Sequence, residues 1–497
     1  MEIKMLNAII HSDEITVWWD KEWARSDEPV YRIYKNGEEI GVTRKTHFTF
    51  AGLQAETEYR IAVSQIGEIC VKTSKEKKRI DVTKAPYYAV ADGKTLNTTV
   101  LQQAFDDCKA DECVYFPKGT YLTGTLRLHS NMELYLDNEA VLQGSKRVED
   151  YLPKRRYRFE GVETSCYSAL LTIGELDHDG GYSYENLVIR GGGVVSGGGT
   201  ELCDAVINVE TERLKEYLAE NEAYIQTCEN RKTIPGRARP FLVSIQNCKN
   251  VVLSNVTFQY GAAWNVHAVY SKNVVTHGCK IISDGVWNGD GWNPDSSEDC
   301  TVFNCTFKTG DNSIAVKSGK NPEGNFINRP CKNIRIFDCH GGRSIGLGSE
   351  MSGGIENVYI WDCTFTDGES GLSIKVTKKR GGYLRNIYVK DCVFTNIYAR
   401  NVRFNDDGES ASSLPIVENF FFDGVELLGY CMENGEKKPV GALIVSGLDG
   451  EGAFRQFHFK NVLIHTPKET IGRWIEFKNV CELGIETISF VSSCDNA

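Results

Sequence analysis

Apolar and polar positions alternate in short runs through the second half of the chain, and one phrase keeps returning. It reads Asn250-Val251-Val252-Leu253, Asn273-Val274-Val275-Thr276, Cys300-Thr301-Val302-Phe303, Asn333-Ile334-Arg335-Ile336, Asn357-Val358-Tyr359-Ile360, Asn386-Ile387-Tyr388-Val389 and Asn419-Phe420-Phe421-Phe422. Each phrase predicts a short strand. Five are followed by a second short run opened by cysteine, at Cys279, Cys305, Cys339, Cys363 and Cys392. A strand recurring every few tens of residues is the mark of a solenoid, in which each coil buries its apolar face only against its neighbours. The asparagines suit the turns between coils.

The first 78 residues follow a different rhythm. Strand-like runs at Ile15–Trp19, Val30–Tyr34 and Tyr59–Val63, with a hairpin turn at Lys35-Asn36-Gly37, predict a small β-sandwich. Leu53, Thr57 and Tyr59 resemble the tyrosine-corner segment of fibronectin type III domains. Its expected role is structural. Trp18, Trp19 and Trp23, if exposed, would allow carbohydrate binding instead. A charged stretch ending at Arg79 leads into a linker, which gives boundaries of 1–78, 79–84 and 85–497. After the linker, Leu101, Phe105 and Cys108 have helical spacing and predict a helix that caps the solenoid. A helical stretch from Thr211 to Asn230 interrupts the strands and reads as an insertion above them, either a wall for a groove or a decoration.

Composition narrows the function. At 41% hydrophobic and 25% charged residues, the chain has the make-up of a soluble globular protein. A net charge of -11 argues against nucleic-acid binding and requires any acidic substrate to be gripped by local positive charge. No run is apolar enough to span a membrane, and the first residues show no apolar core of a signal peptide. Seventeen cysteines sit mostly inside strand phrases without disulfide-module or CxxC spacing. These features predict a reducing, cytoplasmic location, with no metal and no cofactor.

Three polar segments fall on successive coils: Asn288–Ser297, Gly310–Gly319 and Gly342–Gly354. Asp290 and Asp311 are 21 residues apart, about one coil. That spacing stacks them on neighbouring strands, about 4.8 Å apart along the axis. Two carboxyls so placed suit acid/base work on a glycosidic bond, and their proximity raises the pKa of one of them.

These segments resemble glycoside hydrolase family 28, the polygalacturonase family of right-handed parallel β-helices, from about residue 85 to the C-terminus. Asn288-Gly289-Asp290-Gly291 is similar to the family's Asn-x-Asp-Gly motif, Gly310-Asp311-Asn312 stands at its Gly-Asp-Asp motif and Ser373-Ile374-Lys375 at its Arg-Ile-Lys motif. The resemblance implies an all-β chain and inverting hydrolysis, with Asp311 as general acid and Asp290 as the base that helps position water. One-coil spacing is short for inversion. The chain departs from the family in three places. Asn312 replaces the second Asp and cannot take a proton. Asn293 stands where many members have Asp, with Asp295 as a nearby substitute. Ser373 replaces the Arg that grips a galacturonate carboxylate, which is not a conservative change. Lys375 is left, and Arg343 on the adjacent coil is a candidate to replace the lost charge. His340 is a candidate for the family's active-site His, and His267, in a Trp-x-x-His phrase, for the groove wall.

The resulting expectation is a glycoside hydrolase acting on pectin-derived, uronic-acid-containing oligosaccharides from a chain end, with Asn312, Asp295, Lys375, Arg343, His340 and His267 as substrate-binding residues. A rhamnogalacturonan or other non-homogalacturonan glycosidase, a polysaccharide lyase and a non-catalytic carbohydrate-binding β-helix are the alternatives, since fold alone does not decide among them.

Overall fold

The computed structural model describes residues 6–23, 29–402, 408–433, 436–449, 454–467 and 474–493. They divide into two compact units, Met1–Arg79 with Asp111–Cys113, and Ile80–Ala110 with Val114–Ala497.

In the first unit, strands Asn7–Ile10, Glu14–Trp18 and His47–Ala51 form one antiparallel sheet. Strands Glu38–Thr43, Tyr31–Lys35, Glu58–Val63 and Gly67–Lys72 form another. Alternating positions Ile15, Val17, Tyr31, Ile33, Tyr59, Ile61 and Val63 pack with Trp19 into one core. The Tyr59 hydroxyl accepts the Gln54 N–H at 3.0 Å, a bond back to backbone a few residues upstream. Trp18 and Trp19 are buried, so they offer no aromatic face to a sugar.

The second unit is a parallel β-helix built from three long sheets of 14, 13 and 11 strands. Among the described residues, each coil between the two ends places one strand in each sheet, and the connection from a strand to its parallel neighbour is right-handed. The returning phrase forms the largest sheet: Ile334 pairs with Val358, Val358 with Ile387 and Ile387 with Phe420. All four side chains are fully buried.

The phrase-opening asparagines have a physical cause. Asn250, Asn273, Asn333, Asn357, Asn386 and Asn419 all adopt φ between 53° and 61°, the left-handed region that Asn tolerates better than other side chains. Their amides also bond from coil to coil, Asn357 to Asn333 at 3.2 Å, Asn386 to Asn357 at 3.0 Å and Asn419 to Asn386 at 3.2 Å. One residue type therefore bends each coil and ties it to the next. The second returning residue, cysteine, fills the interior: Cys279, Cys305, Cys339, Cys363 and Cys392 are all buried free thiols.

Helix Thr98–Asp107 buries Leu101, Ala104 and Phe105 against the first coils, the capping role expected of it. The insertion begins earlier than the sequence pattern suggests, with helix Gly199–Arg213 followed by Lys215–Glu220, Glu222–Ile225 and Thr233–Gly236. Leu202, Cys203, Val206 and Ile207 form the apolar stripe that seats the first of these helices on the β-helix core. The preceding glycine run, Gly191–Gly199, disguises that start as a turn.

Candidate active site

The 11-stranded sheet carries the site. Its successive rungs include Val266–Val269, Trp292–Asp295, Ile314–Val316, Ile345–Gly348 and Leu372–Val376. Trp292, Ile314, Val316, Ile345, Leu347, Leu372 and Ile374 point into the core. With a period of two, the residues between them face outward.

Asp290 and Asp311 lead into adjacent rungs. The Gly291 N–H donates to Asn312 O at 3.0 Å, and the Asp311 N–H to Gly289 O at 3.4 Å. The two turns lie so close that side chains are excluded: a Cβ on Gly310 would come within 2.3 Å of Val286 O, and one on Gly291 within 2.4 Å of Ser313 O. The glycines of the two motifs thus let the acidic turns stack. Arg239, fully buried, fixes the first turn from behind by donating to Trp287 O at 2.7 Å and Asn288 Oδ1 at 2.8 Å.

A cavity of about 220 Å³ opens over these turns, lined by Glu160, Glu229, Trp264, Asn288, Asp290, Asp311, Asn312, Lys317, Gly348, Ser349, Glu350 and Lys375. At its floor, Lys317 Nζ lies 3.2 Å from Asp290 Oδ2, 2.7 Å from Glu350 Oε2 and 4.2 Å above the Trp264 ring. Burial alone would lower the Lys317 pKa, but the Glu350 and Asp290 carboxylates outweigh it and hold the ammonium well above its usual range. Burial pushes the Asp290 carboxyl up to about 7, with Lys317 pulling against that rise and Asp311 adding to it. Asn312 has both acceptor positions of its Oδ1 engaged, by Ser344 Oγ at 2.7 Å and Lys375 Nζ at 3.4 Å. Only its N–H groups remain to face a ligand.

Of the residues picked out in the sequence, Asp290, Asp311, Asn312 and Lys375 line this cavity. The other four do not. Asp295 and His267 are fully buried beneath the hairpin formed by strands Arg155–Phe159 and Val162–Cys166. Asp295 Oδ1 is 3.2 Å from Arg158 Nη1 and its Oδ2 is 3.4 Å from His267 Nε2. Burial alone would raise the Asp295 pKa, but the Arg158 guanidinium and His267 hold it below the usual range. The His267 ring packs between Phe241 and Trp264, at 5.1 and 5.0 Å, and burial lowers its pKa. This pair anchors the hairpin and does not reach the groove. His340 belongs to the 13-stranded sheet, paired with Thr306 and Thr364, and its exposed ring lies 3.3 Å from Asp338. Arg343 is exposed in the turn before Ile345 and is not part of the cavity wall.

Glu160, Glu229, Trp264 and Glu350 belong to the wall and were not singled out in the sequence. Glu350 and Trp264 lie inside quoted phrases, but the repeat gives no hint that they meet Lys317. Glu160 comes from the tip of the hairpin and Glu229 from the helical insertion. Glu160 is held by Arg237 at 2.9 Å, so that arginine supports the wall. Burial raises the Glu229 pKa, and Glu160 and Asp311 add to the rise. No sequence period reports these loops, because each appears once.

Comparison with known proteins bears on the fold and the family. The profile described as "Glycosyl hydrolases family 28" matches residues 178–411. An exo-poly-alpha-D-galacturonosidase of Dickeya chrysanthemi is 26% identical over 415 residues, covering 72% of this chain and 68% of that protein. A probable polygalacturonase of Vitis vinifera is 31% identical over 291 residues, covering 56% of this chain and 54% of that protein. Among solved structures, a family 28 exopolygalacturonase of Yersinia enterocolitica shares the fold over 100% of both chains, with a TM-score of 0.77 at 22% identity. A hyperthermoactive exopolygalacturonase of Thermotoga maritima covers 83% of this chain and is itself covered to 91%, with a TM-score of 0.68 at 25% identity. The paired acidic turns, stacked by the parallel β-helix, lie within residues 178–411, the part of the chain that matches glycoside hydrolase family 28.

Proposed function

We propose that this glycoside hydrolase releases residues from the end of uronic-acid-containing, pectin-derived oligosaccharides. The observation that carries this reading is the cavity in which Asp290 and Asp311 sit on stacked turns, with Glu160 and Glu229 brought over them by two separate loops. An open groove would admit the middle of a polymer, whereas a groove walled by a hairpin and a helical insertion favours a chain end. In this reading Asp311 donates a proton to the departing oxygen, Asp290 takes one from the attacking water, and Asn312 orients that water with its N–H groups. Lys375 receives the acidic sugar in place of the arginine that Ser373 lacks.

End-labelled galacturonide oligomers provide the test. Release of a single short product from one end at all times is expected. Scission throughout the oligomer removes the chain-end reading, and an unsaturated, ultraviolet-absorbing product makes the enzyme a lyase.

The pH dependence follows from Asp290. As the base it must be ionised, and its carboxyl titrates at about 7. The value of kcat/KM is therefore expected to show a limb centred at about pH 7, outside the ordinary carboxyl range, joined to a second limb set by the proton that Asp311 must keep. A profile with no limb at about pH 7 would remove Asp290 from the titrating pair.

All described cysteines except Cys70 and Cys481 are buried, and all are free thiols, which supports a reducing, cytoplasmic setting and a diet of imported oligomers. The Tyr59 to Gln54 bond supports reading the N-terminal unit as a fibronectin type III-like spacer.

A further inference from the structure

The catalytic cavity is dominated by carboxyls: Glu160, Glu229, Asp290, Asp311 and Glu350 line it against Lys317 and Lys375. Lys317 is already engaged by Asp290 and Glu350. An acidic oligosaccharide gains little charge attraction there, so its remaining carboxylates require cations elsewhere along the groove.

The sheet supplies them in one outward column. Gly348 pairs with Lys375, Lys375 with Arg400, Arg400 with Ser446 and Ser446 with Lys478. Parallel strands are about 4.8 Å apart, so Arg400 stands one rung beyond Lys375 and Lys478 two rungs beyond Arg400. Arg400 and Lys478 line a second, more open cavity of about 520 Å³ with Lys378, Ser446, Asp449 and Glu476. The Arg400 guanidinium lies 4.7 Å from the Tyr398 ring centre, which limits its freedom before any ligand arrives. Asp449 is turned toward Asn479, whose Nδ2 donates to it at 2.9 Å. Ser446 and Lys478 fall outside residues 178–411, the part matched by the family profile.

We propose that Arg400 and Lys478, with Lys378, form a distal binding site for the carboxylates of an acidic oligosaccharide whose end occupies the catalytic cavity. This rests on the chain-end reading above. With Glu160 and Glu229 closing over the carboxyl pair, the free length of the oligomer runs along the later coils, where Lys375, Arg400 and Lys478 follow one another at rung spacing. The site selects longer uronic-acid oligomers by length and charge. A dimer held at Asp290 and Asp311 does not reach it.

Binding of digalacturonate and pentagalacturonate to the full chain, measured by calorimetry at low salt, tests the proposal without turnover in the readout when Asp311→Asn is the common background. The Arg400→Ala/Lys478→Ala variant is expected to weaken pentamer binding about tenfold relative to dimer binding. Added salt is expected to narrow the difference between pentamer and dimer in the parent. Asp449→Asn, which removes a negative charge from the same cavity, is expected to move the pentamer in the opposite direction. An unchanged pentamer-to-dimer ratio in the double variant overturns the distal site, as does equal weakening of both ligands. Cleavage assays on the protein with Asp311 intact judge the chain-end reading separately, because a lost distal site changes length preference and not the product.

Discussion

Replacing Asp311 by Asn is expected to lower kcat at least a hundredfold, and replacing Asp290 by Asn to lower it comparably. A positioned proton donor or acceptor is worth roughly 10² to 10⁴ in rate. Each substitution keeps the side-chain shape and deletes the titrating function, and at position 290 it also removes the charge paired with Lys317. Asn312, the neighbour of Asp311 on its turn, carries no carboxyl proton and so does not substitute for the lost acid. The double variant is expected to be little worse than the worse single variant, because the two groups act on one bond as a unit. Initial rates on a short galacturonide oligomer measure all three, and near-normal rates for Asp311→Asn would remove the mechanism.

Stability separates loss of chemistry from loss of fold. The Asp290 carboxyl is bound to its proton more tightly in the folded chain, at about 7, than in the unfolded one, near 3.9. Its contribution is fully present below the unfolded value and is lost as pH rises through about 7. Above that range the folded protein carries a buried ionised carboxylate at a cost of a few kcal/mol, on the order of 1.4 kcal/mol for each unit of displacement. Asp290→Asn therefore keeps its melting temperature, or gains, at pH 8 even as it loses activity. Lys317 still has Glu350 at 2.7 Å in that variant.

The parts of the molecule that repeat were legible in the sequence. Asn357 recurs because every coil needs a left-handed turn and an amide to pass on. Asp290 and Asp311 could be stacked from their spacing because one coil separates them. Asp295 and His267, suggested by the resemblance, lie outside the cavity wall. Both face outward on the catalytic sheet, and by period alone outward means available. The hairpin that covers them lies more than a hundred residues upstream, and lateral cover of this kind leaves no trace in the local pattern. His340 failed for a different reason. The glycines after it matched the motif expected around the active-site His, yet its strand pairs with Thr306 and Thr364 on another sheet. The family profile begins at residue 178. Glu160 lies before it, on the hairpin, and its place in the wall emerges only from the folded chain.

The hairpin leads to the largest stability effect expected. Arg158→Met should destabilise the protein by about 3–5 kcal/mol, the cost of removing one partner from a buried ion pair. Arg158 and Asp295 are both fully buried, 3.2 Å apart, and Arg158 also donates to Ser296 Oγ at 2.8 Å. The guanidinium passes so close to Gly319 that a Cβ there would come within 1.6 Å of Nη2. Met fills much of the same volume and leaves the Asp295 carboxylate with His267, whose pKa burial has lowered, and the weaker pull of Lys317. His267 then either takes a proton against that tendency or Asp295 becomes protonated, and either way the variant's stability is expected to fall as pH rises. Denaturant titration at several pH values measures it. The Arg158→Met/Asp295→Leu double variant should recover most of the loss, since exchanging both charges for apolar groups of similar size is often neutral. Recovery of stability without recovery of activity would show that the hairpin's charged anchor also sets where Glu160 stands over the carboxyl pair. If both return together, the anchor does no more than hold the hairpin down.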